Sequence, residues 1–299
     1  MRVVMAGSSG FLGTRVTERL RRNGDQVVRL VRRPARADDE VAWDPASRQL
    51  DPEALSGADA VINLCGVGIG DRRWSAAYQA KIRSSRLDPT STLSVAAAQA
   101  SPRPRVLLNA SGIAWYGDTG DHAVEEGAPP GAGFLPELAQ EWEAATAPAS
   151  DAGIRVVTVR SGLVLAGSGG LLARLGPIFR WGVGGPLGSG RQYMSWISLA
   201  DWIGAVTFLL DQEREAVRGP VNLTAPHPET NAEFTRALGK AVRRPAVLPV
   251  PKLAIQILQG DFADEVMSSQ RVLPGVLTRA GYRFEHPEVG PALRWALKH

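Results

Sequence analysis

A glycine-rich segment near the start of the chain has the spacing of a phosphate-binding turn. Gly7, Gly10 and Gly13 stand at every third position, between a short apolar run and an amphipathic stretch. In such a turn the first glycine permits a tight exit from a strand, the second lets the backbone approach a pyrophosphate, and the third lets a helix pack on the sheet. The first helical N–H groups, which include those of Phe11 and Leu12, and the helix dipole would face the phosphates. The segment therefore predicts a dinucleotide site.

The residue after the second predicted strand selects between the two nicotinamide dinucleotides. An acidic residue there would accept hydrogen bonds from the adenosine ribose and repel a 2′-phosphate. Arg32 occupies this position, and Arg33 follows it. Two guanidinium groups can hold a phosphate dianion through charge-assisted hydrogen bonds, although both are also ordinary surface residues. We expect NADP (NADPH) as the cofactor, and NAD is the less favoured alternative.

The elements that must position these groups alternate over the N-terminal part of the chain, where short apolar runs are followed by longer amphipathic stretches, as in βαβ units. The predicted strands are Val3–Ala6, Val27–Val31, Ala60–Leu64, Val106–Ala110, Val156–Val159 and Val221–Leu223. The predicted helices are Phe11–Asn23, Tyr78–Arg86, Leu93–Ala100, Pro136–Ala147, Ser198–Leu210 and Asn231–Val242.

We therefore predict an α/β fold in which a Rossmann-type doubly wound parallel sheet is joined to a smaller C-terminal substrate lobe. Residues 1–165 would form the nucleotide-binding domain, with later segments completing its sheet. Residues 166–299 would supply the substrate-side loops and the lobe, including an extension over residues 249–299.

Composition narrows the class of protein. Apolar residues make up 44% and charged residues 21% of the 299, as in ordinary soluble proteins. The sequence lacks an apolar run of membrane-spanning length and a secretory leader pattern, so we expect a cytoplasmic protein without a membrane partner. Its net charge of +4 comes from scattered arginines without a nucleic-acid-binding motif, so no specific nucleic-acid partner is expected. The single cysteine cannot form an intrachain disulfide. The four histidines are not spaced as metal ligands, so we expect no metal site.

Further short segments accompany the glycine loop along nearly the whole chain. They are Trp43-Asp44-Pro45, Asn63-Leu64-Cys65-Gly66, Arg72-Arg73-Trp74, Ser84-Ser85-Arg86, Tyr116-Gly117, Trp142-Glu143, Arg160-Ser161-Gly162, Gly184-Gly185-Pro186-Leu187-Gly188-Ser189-Gly190 and Asn222-Leu223-Thr224-Ala225-Pro226. With these segments, in this order, the chain resembles the extended short-chain dehydrogenases/reductases. Within that class it resembles the atypical NAD-dependent epimerase-like proteins that carry a distinctive C-terminal extension.

The resemblance implies additional cofactor contacts, which are Leu64, Cys65, Gly66, Lys81, Arg86 and Val164. The loop after the strand Ala60–Leu64 would lie against the adenosine and its ribose, with Cys65 as a small packing residue. Lys81 and Arg86 would face the same crevice from the next helix, and an exposed basic helix face is an equally good interpretation of both. Val164 would approach the nicotinamide through its backbone.

The catalytic residues of the family are incomplete in this sequence. Its enzymes use a tyrosine as general acid/base, a lysine one helical turn later and a serine or threonine near the substrate oxygen. Matching Glu143 to the usual glutamate of that helix places Leu135 at the tyrosine position and Ala139 at the lysine position. No lysine occurs between Lys81 and Lys240, so a shifted pair cannot be drawn in that region.

Other residues offer substitutes for the missing groups. Ser111 lies near the family serine position, where Gly112 aligns equally well, and Tyr116 follows the same strand. Tyr116 is either a proton donor that needs help from a cation or a packing aromatic. The carboxylates of Glu137 and Glu141 are further acid/base candidates, although charges with this spacing on a helix are commonly just exposed.

On the substrate side, Arg191 is the candidate for an anionic group, because the matching arginine region in nucleotide-sugar epimerases meets the substrate phosphates. Two function classes remain open. The first is an NADP-dependent oxidoreductase or sugar-type epimerase acting on a small carbonyl compound or a nucleotide-sugar-like substrate. The second is a non-catalytic NADP-binding sensor or scaffold that regulates a protein partner.

Overall fold

The computed structural model describes residues 1–211, 215–251 and 262–298. Its strands are β1 (Arg2–Ala6), β2 (Gln26–Val31), β3 (Glu40–Ala42), β4 (Ala60–Asn63), β5 (Val106–Gly112), β6 (Ala123–Val124), β7 (Arg155–Ser161), β8 (Leu163–Ala166), β9 (Tyr193–Met194), β10 (Trp196–Ser198), β11 (Gly219–Leu223), β12 (Glu229–Thr230) and β13 (Arg271–Val272). Its α-helices are α1 (Phe11–Arg22), α2 (Ala76–Gln99), α3 (Phe134–Ala144), α4 (Ala147–Asp151), α5 (Gly170–Arg180), α6 (Leu199–Leu210), α7 (Asn231–Val242), α8 (Phe262–Met267), α9 (Gly275–Arg279) and α10 (Val289–Ala296). Two 3₁₀ turns span Pro52–Leu55 and Ile113–Tyr116.

The main sheet has seven strands in the order β11-β7-β5-β4-β1-β2-β3, and every neighbouring pair is parallel. Strand order reverses beside β1, which places a topological switch point at the carboxyl ends of β1 and β4. The Rossmann-type α/β prediction is confirmed. The edge strand β11 comes from the C-terminal half of the chain and pairs with β7.

The sheet is buried on both faces, as parallel sheets generally are. Val3 and Met5 of β1 belong to one apolar cluster and Val4 and Ala6 to another, because successive side chains point to opposite faces. Helix α1 joins the first cluster through Val16 and Leu20. This packing fixes the loop between β1 and α1 at the carboxyl edge of the sheet.

Helix α2 differs from the prediction. The sequence analysis placed two helices, at Tyr78–Arg86 and Leu93–Ala100, separated by Pro89, whereas one helix runs through that proline. Proline removes one helical N–H donor, but burial of both halves of the helix outweighs that loss. Ile82 lies in one apolar cluster and Leu93 in another, so both halves are held by tertiary packing.

The C-terminal part of the chain is attached to helix α6 through a buried aspartate. The Asp201 carboxylate accepts hydrogen bonds from the Ser198 hydroxyl at 2.7 Å and from the backbone N–H groups of Glu285 at 2.6 Å and His286 at 2.9 Å. The Tyr282 hydroxyl also donates to the Asp201 backbone oxygen at 2.9 Å. Within the described ranges, no helix has the length and apolar character needed to cross a bilayer.

Candidate functional site

The phosphate-binding turn is shaped by contacts within the backbone. Gly7 has φ +79°, and a Cβ added there would lie 2.7 Å from the carbonyl oxygen of Leu64. A Cβ at Gly13 would lie 2.0 Å from the carbonyl oxygen of Gly7. Both distances are shorter than any side chain tolerates, so the fold itself requires glycine at both positions.

Gly10 is under a weaker internal constraint. It precedes α1 with φ −74°, a backbone conformation open to any residue, and a Cβ there would meet only the Gly7 carbonyl oxygen at 3.3 Å. Helix α1 has neither a side-chain cap nor an acidic residue in its first turn. Among the described residues, no acceptor bonds the backbone N–H of Phe11 or Leu12. This uncapped helix start has the donors and the dipole that a pyrophosphate requires.

The loop that follows strand β8 lies over the first turn of α1. The Phe11 ring packs against the backbone of Gly169, where an added Cβ would lie 2.5 Å from the ring. Arg15 donates to the Ser168 hydroxyl at 3.4 Å. Because this loop continues from β8, the structure places the strand that carries Val164 on the same side of the fold as the glycine turn.

The two arginines after β2 have different environments. Arg33 forms a bidentate ion pair with the buried carboxylate of Glu40, at 2.7 and 2.8 Å, and this contact lowers the pKa of Glu40 to about 2. Arg32 is exposed, and neither its guanidinium nor that of Arg36 has a hydrogen-bond or ion-pair partner among the described residues. Arg32 and Arg36 are therefore the cations in this loop that are available to an anion.

The loop after β4 lies between the glycine turn and helix α2. Leu64 touches Gly7, and the backbone N–H of Cys65 donates to the Asn63 side chain at 3.1 Å. Burial raises the pKa of the Cys65 thiol to about 12, although the charge of Arg32 opposes that shift. A thiol with such a pKa is protonated at neutral pH, and the protonated form is not the nucleophilic one.

Lys81 and Arg86 lie in different environments on helix α2. Lys81 is exposed, whereas Arg86 is buried against the backbone of Gly66, where an added Cβ would lie 3.2 Å from its Cζ. The Arg86 guanidinium donates to the carbonyl oxygens of Ile82 and Val67, both at 3.0 Å. Within the part of the chain that the structure describes, no carboxylate forms an ion pair with it, and burial lowers its pKa to about 10. A buried, unneutralised cation beside the switch point is suited to an anionic ligand.

The two residues that the sequence analysis aligned with the family tyrosine and lysine have apolar side chains. Leu135 and Ala139 are 6% and 4% exposed on helix α3. Leu135 packs in one cluster with Trp74 and Tyr78, and the Trp74 and Phe134 rings meet edge to face at 5.3 Å. The part of helix α3 where the proton-transfer pair was expected therefore carries only apolar side chains at those two positions.

Ser111 takes part in a buried polar network. Its hydroxyl donates to Glu143 Oε1 at 2.7 Å, and the guanidinium of Arg160 donates to both oxygens of that carboxylate, at 2.8 and 2.9 Å. The register of β5 on β7 pairs Ser111 with Arg160, and helix α3 supplies Glu143 above them. The Glu143 side chain is 12% exposed, so its carboxylate is largely but not completely buried.

Tyr116 continues the network inward. Its hydroxyl donates to Asn222 Oδ1 at 2.8 Å and accepts from Arg160 at 3.0 Å. Arg160 also lies over the Trp115 ring at 3.8 Å. Burial raises the pKa of Tyr116, and the Arg160 charge only partly opposes that effect. The hydroxyl is thus fully hydrogen-bonded within the protein, and its proton is held more tightly than in water.

Arg191, the residue predicted to meet an anionic substrate group, is exposed before strand β9, and its backbone N–H donates to Ser189 Oγ at 3.3 Å. The carboxylates of Glu137 and Glu141 lie on helix α3, and Glu141 pairs with Arg83 across to α2. Over the described ranges, no group of three or more His, Cys, Asp or Glu side chains is arranged to hold a metal ion.

The sequence analysis did not identify Arg36 or the pairing of Glu143 with Arg160 as parts of the site. Arg36 lies four residues after Arg32 in the same loop, so listing the basic residues of that loop would have identified it. The Glu143–Arg160 pair has no such signal, because its members belong to different elements and meet only when α3 packs on β7.

Comparison with known proteins identifies two matching family models. Residues 3–223 match the NAD dependent epimerase/dehydratase family, and residues 250–296 match a domain of unknown function, DUF1731. The epimerase family protein Mb2239 of Mycobacterium bovis is 48% identical over 295 residues, which are 98% of this chain and 97% of that protein.

Two solved structures are similar over nearly the whole chain. The crystal structure of the human epimerase family protein SDR39U1 (isoform 2) with NADPH has a TM-score of 0.92 and 34% identity, and the match covers all of both chains. A nucleoside-diphosphate sugar epimerase from Corynebacterium glutamicum has a TM-score of 0.80 and 32% identity. That match covers 99% of this chain and 58% of the other.

Proposed function

This chain belongs to the NAD dependent epimerase/dehydratase family, and we propose that it is an NADPH-binding protein that works without the family's Tyr–Lys proton transfer. The observation that carries this proposal is the contrast between two parts of one crevice. The glycine turn keeps the backbone geometry and unpaired donors of a pyrophosphate site, whereas the tyrosine and lysine positions hold the buried side chains of Leu135 and Ala139.

Several residues of the chain would hold the cofactor. The backbone at Gly10 and the first N–H groups of α1 receive the pyrophosphate, and Arg32 with Arg36 binds the 2′-phosphate. Arg86 supplies a buried positive charge on the opposite side of the switch point. The NADPH found in the human relative's crystal structure supports the choice of cofactor.

NADPH would supply a hydride at nicotinamide C4. Reduction of a carbonyl group also needs a proton at the substrate oxygen. The standard donor is absent, and the hydroxyls of Ser111 and Tyr116 already donate to Glu143 and to Asn222. These contacts favour the non-catalytic class, in which NADPH occupancy changes how the protein binds a partner.

One observation favours an NADPH-dependent oxidoreductase as the second candidate. Ser111 and Glu143 form a hydroxyl–carboxylate pair at the carboxyl end of β5, and when NADP oxidises a substrate hydroxyl, the Glu143 carboxylate can accept the released proton through Ser111. In that case Ser111 contacts the substrate, Tyr116 and Arg160 position Glu143, and exposed Arg191 holds an anionic group of a carbonyl or nucleotide-sugar-like substrate.

A turnover screen separates the two candidates. Purified protein with NADPH is incubated with carbonyl compounds and, with NADP, with nucleotide sugars, while reduced-nicotinamide absorbance is recorded. The proposal expects saturable NADPH binding and no turnover above the buffer rate. Turnover that is abolished in Ser111→Ala, with NADPH affinity unchanged, would establish the oxidoreductase instead. Tyr116→Phe serves as a second variant, because it keeps the ring that lies under Arg160.

A further inference from the structure

An exposed apolar patch lies where the C-terminal ends of helices α5 and α7 meet. Its residues, here called the Trp181 patch, are Ile178, Trp181, Val183, Val247 and Leu248. Trp181 is 82% exposed and Val247 is 73% exposed. These five are the majority of the large exposed hydrophobic side chains in the described ranges, where only Met1 and Val95 also qualify. Such side chains are normally scattered singly over a surface, so their clustering indicates a contact site.

The two segments of the patch are held together by main-chain contacts. The backbone N–H of Leu248 donates to the Gly184 carbonyl at 3.4 Å, and that of Val250 donates to the Pro186 carbonyl at 2.8 Å. The Arg244 guanidinium donates to the Arg180 carbonyl at 3.1 Å. The two segments that carry the exposed apolar side chains are therefore adjacent in the fold.

The surroundings of the patch are strongly basic. Residues 178–191 and 234–251 contain no aspartate or glutamate and six cations, which are Arg180, Arg191, Arg236, Lys240, Arg243 and Arg244. This local charge of +6 exceeds the net charge of +4 of the whole chain. A groove between α7 and the following segment is lined by Arg236, Lys240, Arg243 and Arg244 together with apolar residues. Cations near helix C-terminal ends are favourable in themselves, but that effect does not explain five exposed apolar side chains.

We propose that the Trp181 patch and its basic surroundings bind the surface of an anionic lipid bilayer. An exposed tryptophan flanked by aliphatic side chains suits the apolar boundary beneath the headgroups, and the surrounding cations contact the lipid phosphates. A second copy of the chain is disfavoured, because a symmetric contact would bring two sets of six cations together. Such a contact needs no membrane-spanning helix. The proposal departs from the expectation of no membrane partner that the sequence analysis gave, because the two segments of the patch are far apart along the chain and meet only in the fold.

Vesicle flotation with the full chain tests the proposal. We expect binding to vesicles containing roughly one-third phosphatidylglycerol in phosphatidylcholine, and none to phosphatidylcholine alone. Trp181→Ala, and separately Arg236→Glu with Lys240→Glu, should each reduce the bound fraction at least about fivefold. Arg22→Glu with Arg283→Glu makes the same change in net charge at exposed positions elsewhere and should reduce it by less than about twofold.

Folding and NADPH binding of each variant are checked by thermal unfolding with and without the cofactor, so that loss of binding is not misread as unfolding. Three results would overturn the proposal. The first is no flotation with anionic vesicles, and the second is equal loss in the Arg22/Arg283 control. The third is retention on poly-L-glutamate resin that requires Trp181 without any vesicle binding, which would assign the patch to an acidic protein.

Discussion

Arg160 and Glu143 form a bidentate ion pair inside the protein, with Nε–Oε1 at 2.8 Å and Nη2–Oε2 at 2.9 Å. The same carboxylate accepts the Ser111 hydroxyl, and the same guanidinium donates to Tyr116. One pair therefore connects the end of β5, helix α3 and strand β7. The arrangement holds the Ser111 and Tyr116 hydroxyls in hydrogen bonds that serve the fold.

Glu143→Gln should destabilise the protein by about 3–5 kcal/mol, because it leaves the buried Arg160 guanidinium without its counter-charge. Glu141→Gln, the same change nearby on the same helix, removes an exposed ion pair with Arg83 and should change stability by less than about 1 kcal/mol. Urea unfolding of both variants measures the difference. Equal losses of stability in the two variants would show that the buried ion pair contributes no more to stability than the exposed one.

Gly10→Ala should weaken NADPH binding at least about tenfold, because a methyl group would stand where the pyrophosphate approaches the backbone. The change in stability without cofactor should be about 1 kcal/mol or less, since φ at this position suits alanine. Gly13→Ala should instead destabilise the apoprotein by at least about 3 kcal/mol, because its Cβ would overlap the Gly7 carbonyl. Thermal unfolding with and without NADPH distinguishes the two. If the Gly10→Ala variant bound NADPH with wild-type affinity, the pyrophosphate would not bind at this turn.

The unpaired state of Arg32 predicts that it selects for the 2′-phosphate. Arg32→Ala should lower NADPH affinity about 10- to 100-fold and NADH affinity by less than about twofold, because only NADPH carries the phosphate. Arg33→Ala is the matched control and should leave the NADPH/NADH ratio near its wild-type value, since Arg33 is paired with Glu40. Competition titrations give both ratios. If Arg33→Ala, and not Arg32→Ala, lost the preference for NADPH over NADH, Arg33 would be the residue that binds the 2′-phosphate.

Glu40 predicts a distinct pH dependence of stability. Its pKa is lowered from 4.5 to about 2, mainly by the hydrogen bonds from Arg33, so the folded state favours the ionised carboxylate. The stabilisation is therefore complete above about pH 5 and is lost as the pH falls towards 2. The difference in melting temperature between wild type and Glu40→Gln should be constant near neutral pH and should shrink in acid. A difference that grew on acidification would contradict this sign.

Cys65 is the chain's single cysteine, which makes its reactivity easy to measure. With a thiol pKa of about 12 instead of 9, it should react with a disulfide reagent at pH 8 at least about tenfold more slowly in the native protein than after unfolding, because the smaller thiolate fraction outweighs the higher nucleophilicity of that thiolate. Rapid labelling of the folded protein would mean that the thiol is accessible and ionised, and would reopen the question of its role.

The sequence predicted the parts of the fold that depend on local pattern. The glycine turn, the alternation of strands and helices and the parallel sheet were all recognisable, because burial on both faces leaves continuous apolar runs in the strands. The strand Glu40–Ala42 was too short to be seen. The helix Ala76–Gln99 was predicted as two helices, because the packing that holds its two halves together is tertiary.

Within the site, residue types were predictable but pairings were not. Arg32 and Arg33 look equivalent in the sequence. In the fold, Glu40 of β3 forms an ion pair with Arg33 and leaves Arg32 without a partner among the described residues. The sequence analysis aligned Leu135 and Ala139 with the family tyrosine and lysine, and both lie buried on α3. That Leu135 would pack with Trp74 and Tyr78 depends on how α2 and α3 meet, which the sequence does not reveal.

Isothermal titration of the purified protein with NADPH and with NADH tests the central claim most directly. The account predicts saturable NADPH binding with a Kd of about 10 µM or below, at least about tenfold tighter than NADH. Absence of measurable NADPH binding, or tighter binding of NADH, would contradict it.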